Sequence, residues 1–122
     1  MISNLEPHQV FVFGSNLAGN HIGGAAKQAR EQFGAKEGIG EGLTGQCYAF
    51  PTLGKNMERR TDHQLRMSAL KLFACAMVNR DKDFLLTKVG CGIAGYSEEY
   101  MMSIFRSKEK RPKNIFLPED WI

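Results

Sequence analysis

No run in these 122 residues approaches the roughly 20 apolar residues that a membrane-spanning helix needs. The opening residues, MISNLEPHQ, have neither a basic stretch nor a signal-like apolar segment, which argues against export and membrane attachment. Cysteine is scarce and odd in number. Cys47, Cys75 and Cys91 are too widely separated to form a short chelating pair, so a reduced, cytoplasmic protein is the expectation. Histidine is equally sparse, and His8, His21 and His63 are not spaced like zinc partners. Neither a metal nor a cofactor is expected.

Charge of one sign is in short supply except at one place. The net charge is +3, yet the segment 106-RSKEKRPK-113 alone carries five bases and one acid. Its local +4 leaves the rest of the chain at −1, which argues against a broad basic face of the kind that coats nucleic acid. The segment itself reads as a solvated helix end and loop, or as a local attraction for an anionic ligand or polymer.

What the sequence does have is a core and many glycines. Hydrophobic residues make up 43% and charged residues 24%, enough for one folded domain over residues 1–122. The run 10-VFVFG-14 predicts a strand buried on both faces. Ala26, Ala29, Arg30 and Phe33 have helical spacing, with Gly34 as a stop. The stretch 34-GAKEGIGEGLTG-45, five glycines in twelve residues, reads as a loop rather than a strand, followed by a strand over 46-QCYAFPT-52.

Thr61 and Gln64 form a capping-box pattern ahead of an apolar stripe at Leu65, Ala69, Leu72, Phe73 and Ala76. Met67 and Met77 on the same helix are read as packing residues. A strand over 84-FLLTKVG-90, a short helix capped by Ser97 and a last strand over 114-NIFLP-118 complete the order. Strands and helices thus alternate. The pattern predicts an α/β fold, a three-layer sandwich with a mostly parallel or mixed central sheet.

In such sheets ligands sit in loops beyond the carboxyl ends of the strands. Three loops have that place and composition: Gly14–Gly24, Gly34–Gly45 and Gly90–Tyr96. Glycine loops that lead into helices bring backbone N–H groups close to an anion, so a phosphate-bearing nucleotide is the natural ligand class. The first loop, GSNLAG, fits neither the GxGxxG fingerprint nor a Walker loop. Within it Ser15 follows the strand, Asn16 and Asn20 could bond ribose or phosphate or brace a turn, and His21 is a candidate base with no evident acidic partner. Cys91 has no paired histidine and reads as part of a loop wall rather than a nucleophile. Tyr96 is placed either to stack on a base or sugar or to pack in the core.

The segments 11-FVFGSNLAGNHIGGAAKQA-29, 44-TGQCYAFPT-52 and 87-TKVGCGIAGY-96 together resemble the macrodomain, an ADP-ribose-binding α/β fold. The similarity is strongest to the branch containing ADP-ribosyl-glutamate hydrolases and antitoxins that reverse DNA ADP-ribosylation. That resemblance implies that Asn16 faces the distal ribose, and that Gly23, Gly24 and Ala25 line one side of the diphosphate. It implies that Gly90, Cys91, Gly92, Ile93, Ala94 and Gly95 wrap the other side, with Tyr96 near the sugar. Hydrolases of the branch carry a lysine and an acid where this chain has Leu53 and Ala94, with Lys55 nearby. The expectation is therefore binding of ADP-ribose or a related nucleotide. One alternative is a hydrolase or phosphatase acting on an ADP-ribosylated macromolecule or ADP-ribose derivative. The second is a nucleic-acid or protein interaction module built on residues 106–113.

Overall fold

A computed structural model describes residues 2–106 and 110–122. Its elements follow the alternation read from the sequence, with one short strand added. They are β1 (Gln9–Asn16), α1 (Gly24–Gln32), β2 (Gly42–Thr44), β3 (Cys47–Leu53), α2 (Asp62–Val78), β4 (Asp83–Leu86), α3 (Glu98–Phe105) and β5 (Ile115–Phe116). A turn of 3-10 helix at Glu119–Trp121 follows. Of the basic segment 106–113, residues 107–109 lie outside the described residues.

The five strands form one mixed sheet in the order β2-β3-β1-β4-β5. All pairs are parallel except β2 against β3. Side-chain alternation along β1 explains its unbroken hydrophobicity. Val10 and Val12 enter the cluster built with α2 and α3, whereas Phe11 and Phe13 enter the cluster built with α1. The sheet is therefore covered on both faces, a three-layer arrangement with α1 alone on one side.

Local chemistry accounts for the helix ends. The Thr61 hydroxyl accepts from the Gln64 N–H at 3.1 Å, while the Gln64 side chain accepts from the Thr61 N–H at 2.9 Å. The Ser97 hydroxyl caps α3 by accepting from the Tyr100 N–H at 3.1 Å, and Glu98 and Glu99 occupy its first turn, where the helix dipole favours negative charge. The predicted stripe Leu65, Ala69, Leu72, Phe73 and Ala76 is buried. Met67 and Met77, read as packing residues, are instead 44% and 53% exposed, because the sheet-facing stripe is already filled.

Two further differences concern strand length. The stretch 84–90 is strand only to Leu86, since Thr87 turns away with both its N–H and its hydroxyl bonded to the Val12 carbonyl. The stretch 34–45 was expected to be loop throughout, yet Gly42–Thr44 pairs with β3 as an edge strand. Gly45 is the reason for the tight return. Its φ is +57°, and a Cβ there would collide with the carbonyl of Gly34, so only glycine allows the two backbones to touch.

At the other end of the sheet, the Asn114 side-chain amide reaches three carbonyls around the end of α2. It donates to Ala76 at 2.9 Å, Asn79 at 3.2 Å and Lys82 at 2.9 Å, satisfying carbonyls that a helix end leaves open. That clasp fixes the start of β5 beside the start of β4. No described helix is long and apolar enough to cross a membrane.

Candidate functional site

The site follows from topology before any side chain is considered. From β1 the chain passes through α1 to β3 on one side, and from its neighbour β4 it passes through α3 to β5 on the other. The two connections diverge between adjacent parallel strands. In open parallel sheets such a switch point, outside the carboxyl ends of the strands, is where a ligand crevice forms. The two loops bordering it are 16–24 and 87–97, which carry two of the three glycine loops read from the sequence.

Gly14 lies at the base of this crevice. A Cβ on Gly14 would stand 3.4 Å from the Gly90 nitrogen and 3.5 Å from the Val89 Cα, so the two loops are in contact at their roots. Above that point their glycines fall into two classes. Gly19, Gly24, Gly90 and Gly95 have positive φ, which accounts for their identity. Gly23 and Gly92 do not. Gly23 has an ordinary extended φ of −154°, Gly92 has no positive φ, and a Cβ on either would meet nothing within 4 Å.

Several backbone amides of the two loops also lack a partner. Among the described residues, the N–H groups of Ile22, Gly23, Gly24, Ala25 and Ala26 find no acceptor in the protein. Those of Gly92, Ile93 and Ala94 are likewise unpartnered. The first set lies at the N-terminus of α1, whose cap, Gly23, brings no side-chain oxygen. Donor groups and helix field together favour an anion there. Ile22 and Ile93, 76% and 91% exposed, project from the two loops.

The third glycine loop does not join the crevice. Gly40 lies against the Asn16 and Leu17 carbonyl groups, Gly19 against Gly38, and the Gly38 N–H donates to the Gly19 carbonyl at 2.9 Å. The Ser15 hydroxyl donates to the Gly40 carbonyl at 2.5 Å. The loop 34–45 thus buttresses the first loop from behind, and its glycines serve backbone-to-backbone packing.

Several polar site residues are occupied within the protein. The Asn16 carboxamide donates to the Asn20 carbonyl at 3.0 Å and accepts from the Asn20 N–H at 3.1 Å, bracing the turn between them. His21 is wholly buried. Its Nε2 donates to the Lys36 carbonyl at 3.0 Å, and its ring meets Phe13 edge-on at 5.1 Å. Its Nδ1 has no partner among the described residues. The acidic neighbour missing from the sequence reading is Glu37, which accepts from the His21 backbone N–H at 3.1 Å and from Arg30 at 3.1 Å rather than from the imidazole. His21 is held as a loop anchor.

Tyr96 takes the packing role of the two foreseen for it. Its ring stacks on Tyr100 at 5.9 Å, the Arg59 guanidinium lies 4.2 Å from its centroid, and its hydroxyl bonds at Thr52 and Arg60. Cys91 is half-buried. Burial first, and then the Glu98 carboxylate, push its thiol above the usual value, with Lys88 acting in the opposite sense. Its Sγ points to the Val89 carbonyl at 3.6 Å. Nothing here activates it as a nucleophile.

Leu53 and Ala94, the positions that the resemblance aligns with a lysine and an acid, are both buried in the apolar cluster, while Lys55 is exposed. Sequence reasoning missed Arg60. Its guanidinium reaches back to the Pro51 carbonyl and the Ser68 hydroxyl, each at 2.8 Å, and Ser68 donates to Glu41 at 2.7 Å. No spacing rule connects residues 41, 60 and 68, and only the sheet edge brings them together. Among the described residues no cluster of His, Cys, Asp and Glu could hold a metal ion. Compared with known protein families, with curated proteins and with solved structures, the chain gave no match.

Proposed function

We propose that the crevice binds ADP-ribose or a related phosphate-bearing nucleotide metabolite, and that the fold is a reduced macrodomain. The observation that carries this reading is the pair Gly23 and Gly92. Each faces open space in a conformation that any residue could adopt, so neither is required by the fold. A ligand that presses against backbone on both sides of the crevice is a physical reason for both.

The unpartnered N–H groups of residues 22–26 and 92–94 then act as diphosphate donors, the α1 N-terminus adds its field, and the exposed Ile22 and Ile93 shield the phosphates from water. Asn16 shapes the loop through Asn20, with one amide proton left to meet a ribose hydroxyl.

Recognition rather than turnover is the favoured activity. Leu53 and Ala94 offer no acid or base, the Cys91 thiol is held protonated, and His21 is sealed behind the loop. Titration calorimetry with ADP-ribose tests the reading. Saturable binding is expected, with inorganic diphosphate binding more weakly at the same place. No saturable heat at millimolar ADP-ribose overturns it.

A further inference from the structure

A second cavity, of about 530 Å³, opens at the opposite end of the sheet. Arg80, just beyond α2, and Lys110, Arg111 and Lys113, ahead of β5, supply four of its lining residues, with Met77 among the rest. These cations come from two stretches about thirty positions apart in the sequence, so tertiary structure and not a charge run gathers them. No acidic residue lines the cavity among the described residues, and Arg80, Lys110 and Lys113 make no ion pair among them. The acids beside these cations in sequence are Asp81 and Asp83, of which Asp83 is engaged by His8 at 3.4 Å, and Glu109, which lies outside the described residues.

The walls are fixed. The Asn114 amide clasps the carbonyls of Ala76, Asn79 and Lys82, and the Arg111 guanidinium donates to the Phe105 carbonyl at 3.0 Å. Four like charges are therefore gathered around one concavity, with no acidic partner among the described residues. Such a local concentration of positive charge attracts an anion.

We infer that this cavity binds the phosphodiester backbone of a nucleic acid. Two guanidinium groups and two ammonium groups suit several phosphate oxygens at once. Among the described residues no aromatic side chain lines the cavity, so no base is stacked there, and binding is independent of sequence. The site lies at the amino ends of β4 and β5, whereas the glycine crevice lies at the carboxyl ends of β1 and β4. The two are separate, and this inference does not rest on ADP-ribose binding.

Fluorescence anisotropy with a short labelled duplex DNA of arbitrary sequence tests it, with unlabelled tripolyphosphate and poly-glutamate as competitors. Binding should weaken roughly 40- to 150-fold between about 50 mM and about 200 mM salt, as release of counterions from three or four phosphates requires. Arg80→Ala, Lys110→Ala and Lys113→Ala, all at exposed positions, should each weaken binding about 3- to 10-fold with an unchanged melting temperature. The double reversal Arg80→Glu and Lys113→Glu should abolish it. Full-strength binding by the double variant overturns the inference. So does the absence of binding at low salt, or competition by tripolyphosphate or poly-glutamate as effective as that by unlabelled duplex.

Discussion

The Tyr96 hydroxyl stands 3.1 Å from the Thr52 carbonyl oxygen, fastening the second glycine loop to the exit of β3. The Tyr96 hydroxyl oxygen also accepts from the Arg60 N–H at 2.9 Å. A single buried hydroxyl thus joins three segments that sequence keeps far apart. Tyr96→Phe keeps the ring stacked on Tyr100 but orphans a donor and an acceptor. A loss of about 1–3 kcal/mol is expected, read as a lower urea midpoint with an unchanged slope.

The two classes of glycine separate binding from stability. Gly92→Ala places a methyl in open space, so thermal unfolding should stay within about 0.5 kcal/mol of the parent. The same methyl stands where a ligand approaches the loop, and ADP-ribose affinity should fall about tenfold or more by calorimetry. Equal affinity in the variant would remove the case for a ligand at that loop.

Gly45→Ala makes the opposite prediction. The methyl would need a positive φ of +57° and would strike the Gly34 carbonyl, backbone against backbone. Destabilisation of more than about 2 kcal/mol is expected, with β2 released from β3. Chemical denaturation gives the first quantity, and hydrogen exchange at residues 42–44 gives the second.

Alkaline pH should weaken the fold through its thiols. Burial pushes the Cys47 thiol up to about 12, and burial also raises Cys75 and Cys91 above the usual 9.0. In the unfolded chain these thiols lose protons near the usual value while the folded chain retains them, so stability falls as pH rises above about 9. For Cys47 the loss continues toward pH 12. Cys47→Ala should flatten part of the decline in melting temperature between about pH 8 and pH 11.

Asn114→Ala removes the donor shared by three carbonyls at the end of α2. A loss of about 1–2 kcal/mol is expected in denaturant unfolding, because the Lys82 carbonyl loses its side-chain donor while those of Ala76 and Asn79 keep only the backbone N–H groups of Asn79 and Lys82. If the clasp builds the cationic cavity, duplex binding should weaken as well, although no cation has been removed.

Strand and helix order was legible because β1, β3 and α2 carry unambiguous apolar periodicity and Thr61, Gln64 and Ser97 are local caps. β2 escaped notice because three residues, one of them glycine, hold no periodic signal, and its pairing is fixed by Gly45 touching Gly34. Two of the three glycine loops follow adjacent parallel strands, β1 and β4, at their carboxyl ends. Their composition could not say which glycines served packing, and that distinction needed the neighbours of each absent Cβ. Asn16 and Tyr96 were each read with two roles, and the bracing and packing roles are those for which partners exist. The basic cavity was half visible, as a charge run, but Arg80 joins it only through the fold.

Trp121 is fully enclosed, its ring stacked 6.5 Å from Phe105 and its indole N–H bonded to Glu98 at 3.0 Å. The cluster that receives it draws on β1, β3, β4, α2 and α3, all synthesised earlier. During translation that face of the sheet therefore waits with an aromatic-sized slot open until the ribosome releases the tryptophan. A nascent chain stalled before residue 121 should be protease-sensitive throughout and a good chaperone client, however complete its helices look.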